Sequence, residues 1–261
     1  MAKKTSALSA MSRATGALVS NLPTVLMLAL PFGILAGWLN HTILGQFGSG
    51  QPSEEDLAPM IGAFVGIYVL VEIILGPILA AMSVYTARSH THGTPAPFMK
   101  GFNFALNRYG RMLKWHAIAW LTIHFGLALI CIPGLLFVAI YAFVDPILCL
   151  EKEPWPLARS KKLTRGRRRT IFLAFLPWLI FSQIVQALEL FGVVSAKAAD
   201  IVVATGIQPT DMSYMRFVDL GTLIGYAGLN TLLYGVLIWT YMCFYMVYED
   251  RTTPKSKPAS S

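Results

Sequence analysis

Apolar runs long enough to cross a bilayer constrain this chain more than anything else in it. A helix rises about 1.5 Å per residue, so about 20 apolar residues bridge the hydrocarbon core. Runs at about 17–39, 57–86, 115–150, 170–193 and 216–247 meet that length. The 115–150 run is too long for one span. Ile132-Pro133-Gly134 divides it, because proline ends a helix and glycine permits a reversal. Six spans follow, near 17–39, 57–86, 115–131, 134–150, 170–193 and 216–247. Composition agrees: 55% of the 261 residues are hydrophobic and only 13% are charged, against about 25% in ordinary soluble domains. No small-x-small cleavage site follows the first run, so it reads as a span and not as a cleaved signal.

Between the spans lie short segments of a different kind. Over residues 96–114, Phe98, Phe102, Ala105, Leu106, Tyr109, Met112 and Leu113 recur at three- and four-residue spacing, with Lys100, Asn103, Asn107, Arg111 and Lys114 opposite. That pattern predicts an amphipathic helix in the membrane interface. Residues 154–166 repeat it: Pro156 suits a first helical turn, Gly166 suits the position after the last, and Leu157, Ser160, Leu163 and Thr164 share one arc. The N-terminal segment 1–16 has a weaker version of the same stripe. Basic segment, span, turn and span thus recur three times, from near residues 5, 96 and 154. Gly76-Pro77-Ile78-Leu79 and Asp145-Pro146-Ile147-Leu148 occupy matching places, which points to internal duplication. The expected architecture is all-α and integral to the membrane: six transmembrane helices as three helical hairpins, with amphipathic interfacial helices between them. Residues 249–261 read as a disordered tail.

The net charge of +8 would suggest nucleic acid in a soluble protein. Its distribution argues otherwise. With the N-terminus in the cytoplasm, 19 of the 21 lysines and arginines fall on the cytoplasmic side, and Lys197 and Arg216 lie outside. This accounts for the charge without nucleic acid and expects both termini in the cytoplasm.

The stretch Glu151…Ala158-x-Ser160-x-x-Leu163-x-x-Gly166 resembles a bacterial membrane-domain family. It is similar to the six-span domain that precedes some glycerophosphodiester phosphodiesterases, and to related stand-alone proteins of unknown function. Gly76-Pro77 followed by Phe98-Met99-Lys100-Gly101-Phe102 is similar too, and the resemblance covers about residues 20–250. It implies a fold and a location in the bacterial inner membrane. It does not imply phosphodiesterase activity, because the six spans use nearly the whole chain.

Polar side chains within spans are costly and therefore candidates for function. Glu72 lies near the middle of the second span. Asp145 sits nearer the cytoplasmic interface, where Arg159 or Lys161 is the expected ion-pair partner. Ser182, Gln186 and Glu189 form a polar stripe that could line a cavity with Asn230. Interhelical hydrogen bonding is the plainer account of that stripe. His116 and His124 are eight residues apart, too far for a paired ligand set, and His90-x-His92 alone makes no metal site. Cys131, Cys149 and Cys243 read as small buried apolar residues. No nucleophile elbow, zinc-ligand cluster or phosphate-binding glycine loop is present, so neither a catalytic role nor a cofactor is expected. Gly62-x-x-x-Gly66 and Gly221-x-x-x-Gly225 allow close helix contact.

The basic face comprises Lys100, Arg108 and Arg111 on the first interfacial segment. On the second it comprises Arg159, Lys161, Lys162, Arg165, Arg167, Arg168 and Arg169. Anionic headgroups or an acidic protein partner are its expected ligands. The expected function is a non-catalytic envelope scaffold or accessory factor. The alternative is a small-solute or proton-coupled transporter or channel, with a cavity using Glu72, Gln186, Glu189 and Asn230.

Overall fold

A computed structural model describes residues 6–48, 62, 66, 69–129, 131–204 and 212–252, and every regular element among them is helical. Ser6 starts the first helix, α1 (Ala7–Ser20), by accepting the Ser9 N–H on its hydroxyl. The chain breaks at Asn21 and continues as α2 (Leu22–Gly48). A π-helical segment, Val69–Leu75, runs into α3 (Gly76–Thr91). Then come α4 (Phe98–Leu106), α5 (Tyr109–Leu129), α6 (Cys131–Tyr141), α7 (Val144–Leu150) and α8 (Pro156–Thr164). Two long helices close the chain, α9 (Arg168–Ala204) and α10 (Met212–Thr252).

Four segments among the described residues are long and apolar enough to cross a membrane: Leu22–Leu39, Val71–Thr91, Arg168–Val185 and Leu223–Thr252. Their outer faces carry large apolar side chains. On α2, Leu22, Leu26, Leu30, Ile34 and Trp38 recur every fourth residue and are 44–52% exposed. An apolar stripe of that length suits lipid and not water. The third and fourth expected spans differ from this pattern. The helix α5 has 21 residues but carries Arg111, Lys114, His116 and His124. The apolar stretch Gly134–Leu150 is shorter, and the turn at residues 142–143 divides it into α6 and α7.

Helix boundaries shift from the expected ones for local reasons. The amphipathic segment expected over 96–114 ends as α4 at Leu106, and Tyr109–Lys114 belongs to α5. The expected break at Ile132-Pro133-Gly134 falls within α6, and residue 130, between α5 and α6, lies outside the described residues. Gly134 serves packing instead: a Cβ on Gly126 would lie 3.0 Å from its Cα. The expected tail begins late, since α10 runs to Thr252, and residues 253–261 lie outside the described ones.

The chain forms two compact units. The first comprises Met1–Val25, Ile73–Pro177 and Ile238–Ser261. Here α3 packs on α1, α4, α5 and α7, α5 packs on α6, and α8 lies against α6 and α7. Phe143, Leu79, Met82, Met112, Ile147, Met242 and Met246 are among its fully buried side chains.

The three short helices dock through matching positions. Besides Ala17 of α1 and Pro156 of α8, the buried residues form pairs: Ala10 and Ala14 in α1, Gly101 and Ala105 in α4, and Ser160 and Thr164 in α8. Each pair is small and spaced by four, so each helix lies close to what it covers. A Cβ on Gly101 would meet the Tyr85 ring at 3.0 Å. Ser160 Oγ donates to Ile140 O at 2.7 Å and accepts the Phe143 N–H at 3.3 Å. Thus one hydroxyl bridges α8 to the turn between α6 and α7.

The second unit comprises Leu26–Glu72 and Trp178–Leu237. In it α2 crosses α10 at close range. A Cβ on Gly33 would collide with Thr231, and one on Gly37 with Ala227. Gly33-x-x-x-Gly37 is therefore the glycine pair seen in close contact, a pairing absent from the sequence reading. Gly62, Gly66 and Gly225 have nothing described within 4 Å of a Cβ position. Beside the crossing, the Phe32 and Tyr234 rings lie 5.5 Å apart.

Candidate functional site

The polar groups of the first unit fall into a buried pair, a ring of ion pairs and an exposed basic elbow. The buried pair joins α5 to α7. His116 Nδ1 donates to Asp145 Oδ1 at 3.0 Å, and both residues are buried. One turn away, Cys149 Sγ lies 3.6 Å from Met112 Sδ. Four-residue spacing on each helix therefore sets two contacts side by side, one polar and one between sulfurs. On the other edge of the imidazole, a Cβ on Gly76 would lie 3.1 Å from His116 Nε2. Gly76 and Asp145 hold matching places before the two Pro-Ile-Leu junctions, and both meet the same histidine. The expected partner of Asp145, Arg159 or Lys161, is not the one found. The reason is reach: α7 turns Asp145 inward onto α5, whereas Arg159 meets Glu151.

The ring of ion pairs gathers at the end of α10. Arg13 of α1 donates to Glu249 at 2.6 Å and to Asp250 at 3.0 Å. Glu249 also accepts from Thr91 at 2.9 Å and from Tyr245 at 3.0 Å. Tyr248 donates to Glu151 Oε1 at 2.8 Å, and Arg159 Nε donates to Glu151 Oε2 at 3.0 Å. The hydrogen bond that Arg159 donates to Glu151 pushes the Arg159 pKa above its ordinary value. These groups are partly solvated, so each pair contributes little alone. Together they tie α1, α3, α8 and α10 at one end of the unit.

Several cations of the expected basic face turn out to cap backbone. Arg108 donates to Cys149 O at 2.8 Å and lies over the Phe104 ring. Arg111 donates to Glu151 O at 2.8 Å and to Glu153 O. Both satisfy carbonyls at and just beyond the end of α7, where a helix leaves acceptors unpaired. Arg251 does the same for α8, donating to Leu163 O at 3.2 Å and Arg165 O at 2.7 Å. Arg108, Arg111 and Arg159 thus have protein partners, whereas Lys100, Lys161, Lys162, Arg165 and Arg169 are exposed. Arg167 and Arg168 are half-buried at the start of α9. The excess of basic residues between Arg159 and Arg169 resolves into one ion pair and an exposed elbow.

Glu72 is half-buried within the π-helical segment. Ser182 is buried and donates to Leu179 O at 2.9 Å, and Asn230 donates to Tyr226 O at 2.9 Å. These bonds run along their own helices. Gln186 and Glu189 lie on α9 with side chains outside the described ones. Among the described residues no group of three or more His, Cys, Asp and Glu could hold a metal. His92 Nδ1 lies 2.8 Å from Arg88 O, a contact local to the helix end. Cys149 and Cys243 are buried and free. Compared with family models, curated proteins and solved structures, the chain finds no match.

Proposed function

We propose that this is a non-catalytic, polytopic protein of the bacterial inner membrane, an envelope scaffold or accessory factor. On this reading six spans form three hairpins, each led by an interfacial helix, with both termini in the cytoplasm. The basic cytoplasmic face engages an anionic lipid or a protein partner. The resemblance to the six-span domain of certain phosphodiesterases belongs to the same proposal. The observation that carries it is the uneven use of the cations. Arg108, Arg111 and Arg159 are bound within the protein, while Lys161, Lys162, Arg165 and Arg169 stand exposed on one elbow. The bond between Arg13 and Glu249 supports the same-side termini, since it joins α1 to the end of α10.

A photo-crosslinking residue at Lys162, activated in native membranes, tests this reading. Adducts of lipid mass or of a discrete protein are expected. Absence of both contradicts it.

The transporter reading has one observation in its favour. Glu72 lies in a π-helical segment, and such segments often accompany functional sites. Reconstituted vesicles with an internal pH dye test it: proton flux abolished by Glu72→Gln favours the transporter, and flux no greater than in empty vesicles removes it.

A further inference from the structure

We infer that the elbow between α8 and α9 binds the phosphate of an anionic phospholipid in the inner leaflet, a refinement that rests on the basic-face reading above. Four exposed cations, Lys161, Lys162, Arg165 and Arg169, lie within nine residues of chain. The acidic groups of this unit are Asp145, Glu151, Glu153, Glu249 and Asp250, and each already has a contact; Asp145 holds His116. Glu151 holds Arg159 and Tyr248. Glu153 accepts the Trp155 N–H at 3.3 Å. Glu249 and Asp250 hold Arg13. The charge of the elbow is therefore not offset by these carboxylates.

The local backbone adds to that potential. The first turn of α9 has no acidic residue. Arginine there opposes the helix dipole, an arrangement that a bound anion relieves. The elbow is also held in place. Gly166 takes a φ of +80°, which turns the chain out of α8, and Arg251 pins the carbonyls of Leu163 and Arg165. A fixed cluster loses less entropy on binding than a flexible one.

The two helices that meet at the elbow favour a lipid over an acidic protein, the first at its far end, where Trp155 precedes α8. Trp155, 67% exposed, packs edge-on against Trp115 at 6.0 Å, and the Lys114 ammonium lies 5.2 Å from the Trp115 ring centroid. Tryptophan with lysine is the usual furniture of the headgroup level. One turn into α9 from Arg169, Leu173 is exposed while Ile171 and Ala174 are buried. A cation with an exposed apolar residue one turn deeper matches a phosphate followed by acyl chain.

Native mass spectrometry of the full chain in neutral detergent tests the assignment. The probes are phosphatidylglycerol, phosphatidylcholine of the same acyl chains, and free glycerol phosphate. A basic residue near an anionic surface is worth roughly a fivefold change in binding. Phosphatidylglycerol is expected to bind at least about tenfold more tightly than phosphatidylcholine, with glycerol phosphate weaker than the intact lipid. The variant Lys161→Gln/Lys162→Gln/Arg165→Gln/Arg169→Gln is expected to lose that preference. A control with equal charge loss, Lys3→Gln/Lys4→Gln/Lys255→Gln/Lys257→Gln, is expected to keep it. If the fourfold variant does not fold, Lys162→Gln/Arg169→Gln replaces it, with at least a threefold loss expected. Equal binding of the two lipids overturns the inference, and so does a preference that survives in the elbow variants. If the preference is absent while the Lys162 crosslinker captures a discrete protein, the lipid assignment falls and the basic-face reading stands. If there is neither preference nor adduct, both fall.

Discussion

His116 Nδ1 donates to Asp145 Oδ1 at 3.0 Å, and Gly76 backs onto the opposite edge of the same ring. The two positions before the matching Pro-Ile-Leu junctions thus serve this ring as a partner and as a clearance. Removing one member of a buried hydrogen-bonded pair leaves the other unsatisfied, at about 1–3 kcal/mol. Asp145→Ala and His116→Ala are each expected to lower the melting temperature of the purified protein. The double variant is expected to cost less than the two losses added, because no orphan remains. Additive losses would show that the pair is not coupled.

Gly76→Ala follows from the same geometry. A Cβ 3.1 Å from His116 Nε2 overpacks the site, at about 1–3 kcal/mol. In a His116→Ala background the same substitution is expected to be nearly neutral. Equal destabilisation in both backgrounds, measured by thermal melting, would place the strain elsewhere.

Ser160 is buried and bridges α8 to Ile140 O and the Phe143 N–H. Ser160→Val removes a donor and an acceptor and widens a closely docked face. A loss of about 1–3 kcal/mol is expected, with faster proteolysis at the Gly166 turn as α8 loosens. An unchanged cleavage rate would contradict the docking role.

Much of this could be read from spacing alone. The starts of α4 and α8 follow from the 3.6-residue stripe, and Pro156 and Gly166 bound α8 as expected. The arc of Leu157, Ser160, Leu163 and Thr164 does face inward, with the two hydroxyl residues deepest. What escaped was partner choice. Arg108 and Arg111 looked like headgroup ligands because their acceptors are backbone carbonyls about 40 residues away, which carry no sequence signal. Basic residues on the next helix are the partners that sequence offers Asp145, whereas its partner His116 lies 29 residues earlier, on α5. Among the three Gly-x-x-x-Gly patterns nothing local singles out Gly33 and Gly37, since the choice depends on which helix lies opposite.

That choice is testable. Gly37→Leu drives a side chain into the backbone at Ala227 and is expected to cost several kcal/mol or prevent folding. Gly110→Ala is the contrast. It is an exposed helical glycine with open space at its Cβ position, and alanine there is expected to stabilise by about 0.5–1 kcal/mol. Melting temperatures that do not separate the two would refute the assigned crossing.

The central claim is that both ends of the chain lie on the basic, cytoplasmic side of a membrane. Paired reporters, one active only in the cytoplasm and one only outside it, fused after Ser261 and before Met1, test it most directly. The account predicts a cytoplasmic signal at both ends; the bond between Arg13 and Glu249 bears on their lying on the same side, and the charge distribution on which side that is. An external signal at Ser261, or opposite signals at the two ends, would contradict it.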